Sequence, residues 1–330
     1  MSLLTVKNLR KRFNLEAGFF ARFGKFVNAV NDISFSIGKN EAYGLVGESG
    51  CGKTTTARLL VRMYEADSGQ ILFYDGDNAG TADTGIVDVS MLKKDALQNY
   101  REKVRYVFQD PARSLNPRMS VYEVLVSGCR KPLRKKGVKE KELREKAAAI
   151  LEEVGLGAVD LEKRPSEFSG GQRQRISIAR ALLMEPELLI CDEVVSALDV
   201  SIQGQILNLL LDISKKRNIS FLFIAHDLKV ACYFCDRIGV MYKGELMEEA
   251  PAAYLYKKAM HPYTKLLFSS AAGNKETACL TETGHIEKRK NTLGCSFAPR
   301  CPHALDRCRN EHPQLTEKNS GHLVRCLNLI

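Results

Sequence analysis

Residues 41–64, EAYGLVGESGCGKTTTARLLVRMY, restrict this chain more than any other stretch. EAYGLV (41–46) reads as a buried strand, and TTTARLLVRMY (54–64) as a helix with apolar periodicity. Between them, GESGCGKT (47–54) has the spacing G-x-x-x-x-G-K-[ST]. Gly47, Gly50 and Gly52 let the backbone wrap round phosphates with its N–H groups turned inward, and the following helix adds its positive N-terminal end. Lys53 is placed to bridge two phosphates, and the Thr54 hydroxyl to ligate Mg²⁺.

The rest of the chain suits the same architecture. ISFSI (33–37) alternates like a strand, and GKN makes a turn before the buried run. ILFYDGDN (71–78), VRYVFQD (104–110), PELLICDE (186–193) and ISFLFIAHD (219–227) also read as strands. SIQGQILNLLLDISKK (201–216) reads as an amphipathic helix, and the Gly/Asp/Thr-rich segment 75–90 as a surface loop. From about 112 to 180 the pattern is helical, punctuated by Pro117, Pro132 and Pro165. Alternating strands and helices predict a parallel α/β core interrupted by a helical insertion. No internal repeat is found, so one such core is expected.

Composition narrows the class without choosing a function. With 45% hydrophobic and 27% charged residues in 330, the chain is ordinary globular material with room for two or more domains. It lacks an apolar run long enough to span a bilayer, and MSLLTVKNLRKRF puts charges where a signal peptide needs an apolar core, so a cytoplasmic location is expected. The net charge of +10 suits an anionic ligand, nucleic acid or a membrane surface alike. Its densest basic stretch, CRKPLRKKGVKEKELREK (129–146), interleaves glutamates and has no aromatics to stack on bases. It reads as a solvated helix face, and no nucleic-acid partner is expected.

LLICDE (188–193) supplies the other half of a phosphate-cleaving site. An aspartate ending a buried strand, Asp192, can hold Mg²⁺ through water, and Glu193 can orient and polarise an attacking water.

EFSGGQRQRISIARAL (167–182) resembles the signature motif of ABC ATPases, with Phe168 where leucine is usual. Other landmarks of that family follow: Gln109 in VFQDP resembles the Q-loop, SALD (196–199) the D-loop, and His226 in IAHDL the switch histidine. The resemblance covers nearly all of residues 3–250. It implies a P-loop NTPase (RecA-like) parallel-sheet core with an antiparallel β subdomain, and a helical subdomain at about 112–180. It also implies a head-to-tail dimer of cassettes with two ATPs at the interface. Loop residues Gly47, Glu48, Ser49, Gly50, Cys51, Gly52, Lys53, Thr54 and Thr55 would hold ATP, with Mg²⁺ on Thr54, Gln109 and Asp192. Glu193, His226, Lys53 and Gln109 would be catalytic. Ser169, Gly170, Gly171 and Gln172 would close over ATP held by the partner, because a leaving γ-phosphate needs its charge compensated on every side. Asp199 would act across the interface, and Phe13 would stack on adenine, although Phe19, Phe20, Phe23 and Phe26 follow closely and a core role is open to it. The departures, TTT (54–56) for Ser-Thr and Val194 for proline, keep the hydroxyl and both acids.

Beyond residue 250, HPYTKLLFSSA (261–271) resembles the ATP-binding subunits of oligopeptide and dipeptide importers, together with FQDPARSLNPRMS (108–120) and a cysteine-rich tail. The aromatic insertion FNLEAGFFARFGKFVNAV resembles the second of their two paired subunits. The resemblance implies a cassette at 1–250 and a small Cys-rich extension at 251–330. It implies a partner ATPase forming a heterodimer, two membrane permeases, an extracytoplasmic solute-binding protein, and a peripheral place on the cytoplasmic membrane face. Nickel importers share the subfamily, and a soluble non-transport ABC ATPase is the alternative from another class. Cys295, Cys301, Cys308 and Cys326 are spaced more widely than the tight pairs of zinc sites. Four thiolates suit a [4Fe–4S] cluster; zinc, reduced thiols and a disulfide remain alternatives, with His303, His312 and His322 weaker ligand candidates. The other cysteines, Cys51, Cys129, Cys191, Cys232, Cys235 and Cys279, are scattered, and the Cys232/Cys235 pair reads as helix packing.

Overall fold

The computed structural model describes residues 2–14, 26–76, 85–271 and 293–329, so Phe19, Phe20, Phe23 and Cys279 lie outside the described residues. The chain forms two compact units: Met1–Met91 with Phe223–Ile330, and Leu92–Leu222.

In the first unit, β1 (Ser2–Asn14), β2 (Phe26–Gly38), β4 (Ser68–Tyr74) and β5 (Ile86–Asp88) make an antiparallel sheet in the order β2-β1-β4-β5. Its inner face follows from alternation: Leu4 pairs with Ile37 and Phe73, Val6 with Phe35 and Ile71, and all six are buried. Part of the expected loop at 75–90 is ordered structure instead. Ile86–Asp88 pairs with β4, and the Asp88 carboxylate accepts from the Ser90 N–H at 2.9 Å to start the turn Val89–Met91. A three-residue strand is too short for its alternation to be read.

The same unit carries β3 (Ala42–Val46), α1 (Lys53–Leu60), α9 (Leu228–Phe234), β9 (Arg237–Tyr242) and β10 (Glu245–Pro251). β3 runs parallel to β9, from Tyr43↔Arg237 to Val46↔Val240. Leu45, Val46, Ile238 and Val240 are buried, as strands covered on both faces must be. Cys235 Sγ would stand 3.0 Å from a Cβ at Gly44, so Cys235 packs on β3.

After β10 come α10 (Ala252–Lys258), α11 (Pro262–Ala271), α12 (Arg307–Asn310), β11 (Thr316–Asn319) and β12 (His322–Val324). β12 adds antiparallel to β10 and β11 to β12. A buried carboxylate ties these pieces together: Glu248 accepts from Met260 N at 2.7 Å and His261 N at 3.1 Å, and pairs with His322 Nε2 at 2.6 Å. His312 Nε2 pairs with Glu245 Oε1 at 2.8 Å, so both histidines are engaged with carboxylates.

The second unit holds α2 (Lys94–Lys103), β6 (Val104–Val107), α3 (Pro111–Ser114), α4 (Val121–Val126), α5 (Arg130–Lys135), α6 (Glu140–Glu153), α7 (Gly170–Leu182), β7 (Leu188–Asp192) and α8 (Val200–Arg217). β6 and β7 are parallel, Val104↔Leu188 to Val107↔Cys191. α4, α6 and α7 pack on one another. α8 buries Ile206, Leu207, Leu210 and Ile213, one stripe at helical spacing, and stops at Asn218 in the left-handed region. β8 (Ser220–Ala225) follows, and the boundary between the units falls within it. Among the described residues no helix is long and apolar enough to cross a membrane.

Two predictions follow from this packing. Leu210 is fully buried, so Leu210→Ala should cost about 2–5 kcal/mol in urea unfolding. His261 Nδ1 accepts from Tyr263 N at 3.0 Å, and burial, opposed by the nearby Glu248 charge, pushes the His261 pKa down to about 4. The unfolded chain then takes up this proton at higher pH than the folded one. His261 therefore lends stability that is whole above pH ~6.5 and lost as pH falls toward ~4. Between pH 7.5 and 5 the chain should lose about 2 kcal/mol that His261→Asn does not lose, measured by urea melts at both pH values.

Candidate functional site

The first unit contains the glycine loop. Gly52, the N-cap of α1, has φ 110°, and a Cβ there would stand 2.0 Å from the Ala29 carbonyl oxygen. A Cβ at Gly47 would stand 2.1 Å from the Met241 carbonyl oxygen. Any other residue at either position collides with main chain, which cannot swing aside. Main-chain bonds fasten the loop further: Gly244 N donates to Cys51 O at 2.8 Å, and Asn31 N to Gly244 O at 2.8 Å.

Lys53 is only 4% exposed, and its Nζ donates to Gly47 O at 2.7 Å and Glu48 O at 3.0 Å. The charge is thus held over the loop's own carbonyls. Cys51 Sγ lies 3.7 Å from that ammonium; burial raises its pKa although Lys53 opposes, so the thiol stays protonated. Thr54 and Thr55, half-buried, open α1.

Two residues that the sequence did not single out fasten Glu48. Its N–H donates to the Tyr263 hydroxyl at 3.0 Å. Its carboxylate takes both arms of Arg300, Nη1 to Oε2 at 2.8 Å and Nη2 to Oε1 at 2.9 Å. That bond raises the Arg300 pKa, and burial raises that of Tyr263. The only sequence signal was the HPY triplet at 261–263 and the place of Arg300 beside Cys301.

His226 stands exposed just after β8, and Asp227 caps α9 by accepting from Lys229 N at 2.7 Å. Phe13, half-buried in β1, meets the Tyr64 ring edge-on at 5.4 Å.

The second unit places two carboxylates at the end of β7. Asp192 is buried and accepts from the Tyr106 hydroxyl at 2.5 Å. Glu193 has φ 48°, a left-handed conformation costing a non-glycine residue about 1 kcal/mol or more. Ser196 holds that turn, its N–H and hydroxyl donating to Glu193 O at 3.1 and 2.8 Å. Gln109 Nε2 donates to Glu193 Oε2 at 2.8 Å, so the structure brings these two expected residues together. Val194 and Val195 are buried, while Asp199, the N-cap of α8, is exposed.

The SGGQ stretch forms the start of α7. Ser169 Oγ accepts from Gln172 N at 3.3 Å, and Gln172 Oε1 accepts from Ser169 N at 2.9 Å, a capping box. Ser169 and Gln172 are exposed, Gly170 and Gly171 half-buried, and Phe168 is buried beneath them. A Cβ at Gly171 would meet Ile202 of α8 at 2.7 Å. The positive end of α7 is therefore presented on the surface of this unit.

In the tail, Cys295 and Cys308 are buried, Cys301 and Cys326 half-buried, and none is in a disulfide. Cys295 N donates to Cys308 O at 2.8 Å. Burial raises the pKa of both Cys295 and Cys301, although backbone hydrogen bonds to their sulfurs oppose it, so these two stay thiols. Among the described residues, however, no group of three or more His, Cys, Asp and Glu could hold a metal ion.

A phosphate loop on an α/β core, with paired acids after a buried strand, defines a nucleotide-hydrolysing class of protein. Comparison narrows it. Residues 30–196 match the family model described as ABC transporter, and residues 247–308 the one described as oligopeptide/dipeptide transporter, C-terminal region. A probable peptide ABC transporter ATP-binding protein of Sinorhizobium fredii is 41% identical over 330 residues, covering 98% of this chain and 89% of its own length. The oligopeptide transport ATP-binding protein OppF of Bacillus subtilis is 46% identical over 268 residues, covering 81% of this chain and 82% of its own. An ATP-binding cassette solved as a dimer after hydrolysis, with ADP and Pi bound, is 25% identical with a TM-score of 0.61, covering 76% of this chain and 98% of that one. The chain belongs to the ATP-binding family of ABC transporters and is an ATPase.

Proposed function

We propose that the chain is the ATP-hydrolysing subunit of a peptide importer, peripheral on the cytoplasmic membrane face. It pairs with a second cassette beneath two permeases that receive solute from an extracytoplasmic binding protein. The observation that carries this reading is similarity over nearly the whole chain to proteins named for peptide import, joined to the C-terminal match at 247–308.

ATP phosphates are cradled by residues 47–55, where they compete with the Gly47 and Glu48 carbonyls for the Lys53 ammonium. Mg²⁺ would be held by Thr54, Asp192 and Gln109, as the family resemblance implies, to neutralise phosphate charge, and Glu193 would polarise the attacking water. Gln109 already touches Glu193, which supports a shared task on that water. His226 contacts the γ-phosphate, Phe13 stacks on adenine, and Asp199 meets the neighbouring cassette. The exposed α7 start, with Ser169, Gly170, Gly171 and Gln172, supplies donors to the triphosphate gripped by the neighbour. The dimeric cassette with ADP and Pi bound supports such a pairing.

Glu193→Gln should lower ATP hydrolysis about a hundredfold or more while ATP binding persists, and should accumulate ATP-bound dimers on gel filtration. Hydrolysis at the unaltered rate would remove Glu193 from the role of base. For the importer itself, cells lacking the chain should lose uptake of a labelled oligopeptide, and the Lys53→Ala chain should fail to restore it.

In the cysteine tail, Cys295, Cys301, Cys308 and Cys326 would be the residues that hold a [4Fe–4S] cluster. The reading is supported by the number and wide spacing of these cysteines, not by a preformed ion site. Such a cluster would brace the tail or respond to redox state, and no step of ATP hydrolysis passes through it. Chain purified without oxygen should show broad visible absorption that Cys301→Ser removes; colourless protein with one zinc per chain would contradict this.

A further inference from the structure

We propose that Arg300 and Tyr263 are positioning residues for the phosphate loop: from the C-terminal extension they hold Glu48, and through it they set how tightly the cassette binds ATP. The inference rests on the reading of residues 47–55 as the ATP loop.

Every polar group of Glu48 is engaged. Its N–H goes to Tyr263, its carbonyl accepts from Lys53 Nζ at 3.0 Å and from Cys51 N at 3.2 Å, and its carboxylate is chelated by Arg300. The partners are themselves fixed. Tyr263 is fully buried and packs on Tyr242 at 4.7 Å and Phe297 at 5.3 Å, between ring centroids. The Arg300 guanidinium lies 5.6 Å from the centre of the Tyr242 ring and 5.8 Å from that of Phe297. Tyr242 follows Met241, whose carbonyl is the wall against which Gly47 is pressed. Three aromatic rings from β9, α11 and the cysteine segment thus form one brace behind the loop.

The brace has an electrostatic task as well as a mechanical one. Glu48 puts a carboxylate in a loop that must receive a triphosphate of the same sign. Arg300 neutralises it with two hydrogen bonds in a planar fork, a geometry that lysine cannot reproduce. With the side chains 21% and 36% exposed, solvent screens the pair partly, so the effect is moderate.

The test is MgATP binding to the purified full chain by calorimetry, with KM and kcat measured on the assembled transporter. Arg300→Ala should weaken ATP binding and raise KM about fivefold with kcat within about twofold; Arg300→Lys should fall between. Tyr263→Phe keeps the ring stack but removes the oxygen, and should weaken ATP about threefold. In the Arg300→Ala background, Glu48→Gln should bring affinity back to within about twofold of the natural chain, because it removes the exposed charge. A purely structural brace would not be rescued in this way. Unaltered affinity in Arg300→Ala, or no rescue by Glu48→Gln, overturns the inference. Lys53→Ala separates the two readings. If Lys53→Ala loses ATP while Arg300→Ala keeps it, only the present inference falls. If Lys53→Ala binds ATP normally, the reading of the loop falls and the inference with it.

Discussion

Two glycines pressed against neighbouring main chain hold this structure to its purpose. Gly47 lies on the Met241 carbonyl and Gly52 on that of Ala29, with no space for a Cβ at either. That contact fixes the backbone path of the loop between β3 and α1 at both of its ends. Lys53 then rests on the Gly47 and Glu48 carbonyls of the same loop, a charge already held out of bulk water.

The second unit shows the same economy. Tyr106 holds Asp192, Gln109 holds Glu193, and Glu193 sits in a backbone conformation that a non-glycine residue adopts only under constraint. Strain at a carboxylate expected to polarise water is what a functional turn would show. The α7 start differs in kind: its capping box closes on itself, yet its first residues lie on the surface. Such an exposed, positive helix end suits the anion-binding task proposed for it.

What could be read from the sequence was local. GESGCGKT, LLICDE and EFSGGQRQ declare themselves because the chemistry needs those residues within a few positions of one another. α8 was legible because its stripe of Ile206, Leu207, Leu210 and Ile213 repeats at helical spacing. The partners of Glu48 were not, since Tyr263 and Arg300 lie 215 and 252 positions away. Nothing in hydropathy marks a tyrosine or an arginine as the fastening of a distant loop. The Glu248 node was hidden likewise, because a buried carboxylate with His322 and two main-chain donors looks, in sequence, like any acid in a strand. β5 was missed for its brevity. The four tail cysteines stood out by spacing, but spacing does not reveal whether they gather into an ion site, and among the described residues no such site is formed.

The central claim is that hydrolysis takes two chains, each lending its α7 start to the nucleotide held by the other. A structure of the assembled transporter with non-hydrolysable ATP and Mg²⁺ bound tests it most directly. The account places the Ser169 hydroxyl and the Gly171 N–H within hydrogen-bond distance of the γ-phosphate in the neighbouring cassette's loop. The same two groups facing solvent, with every phosphate contact supplied by one chain, would contradict it.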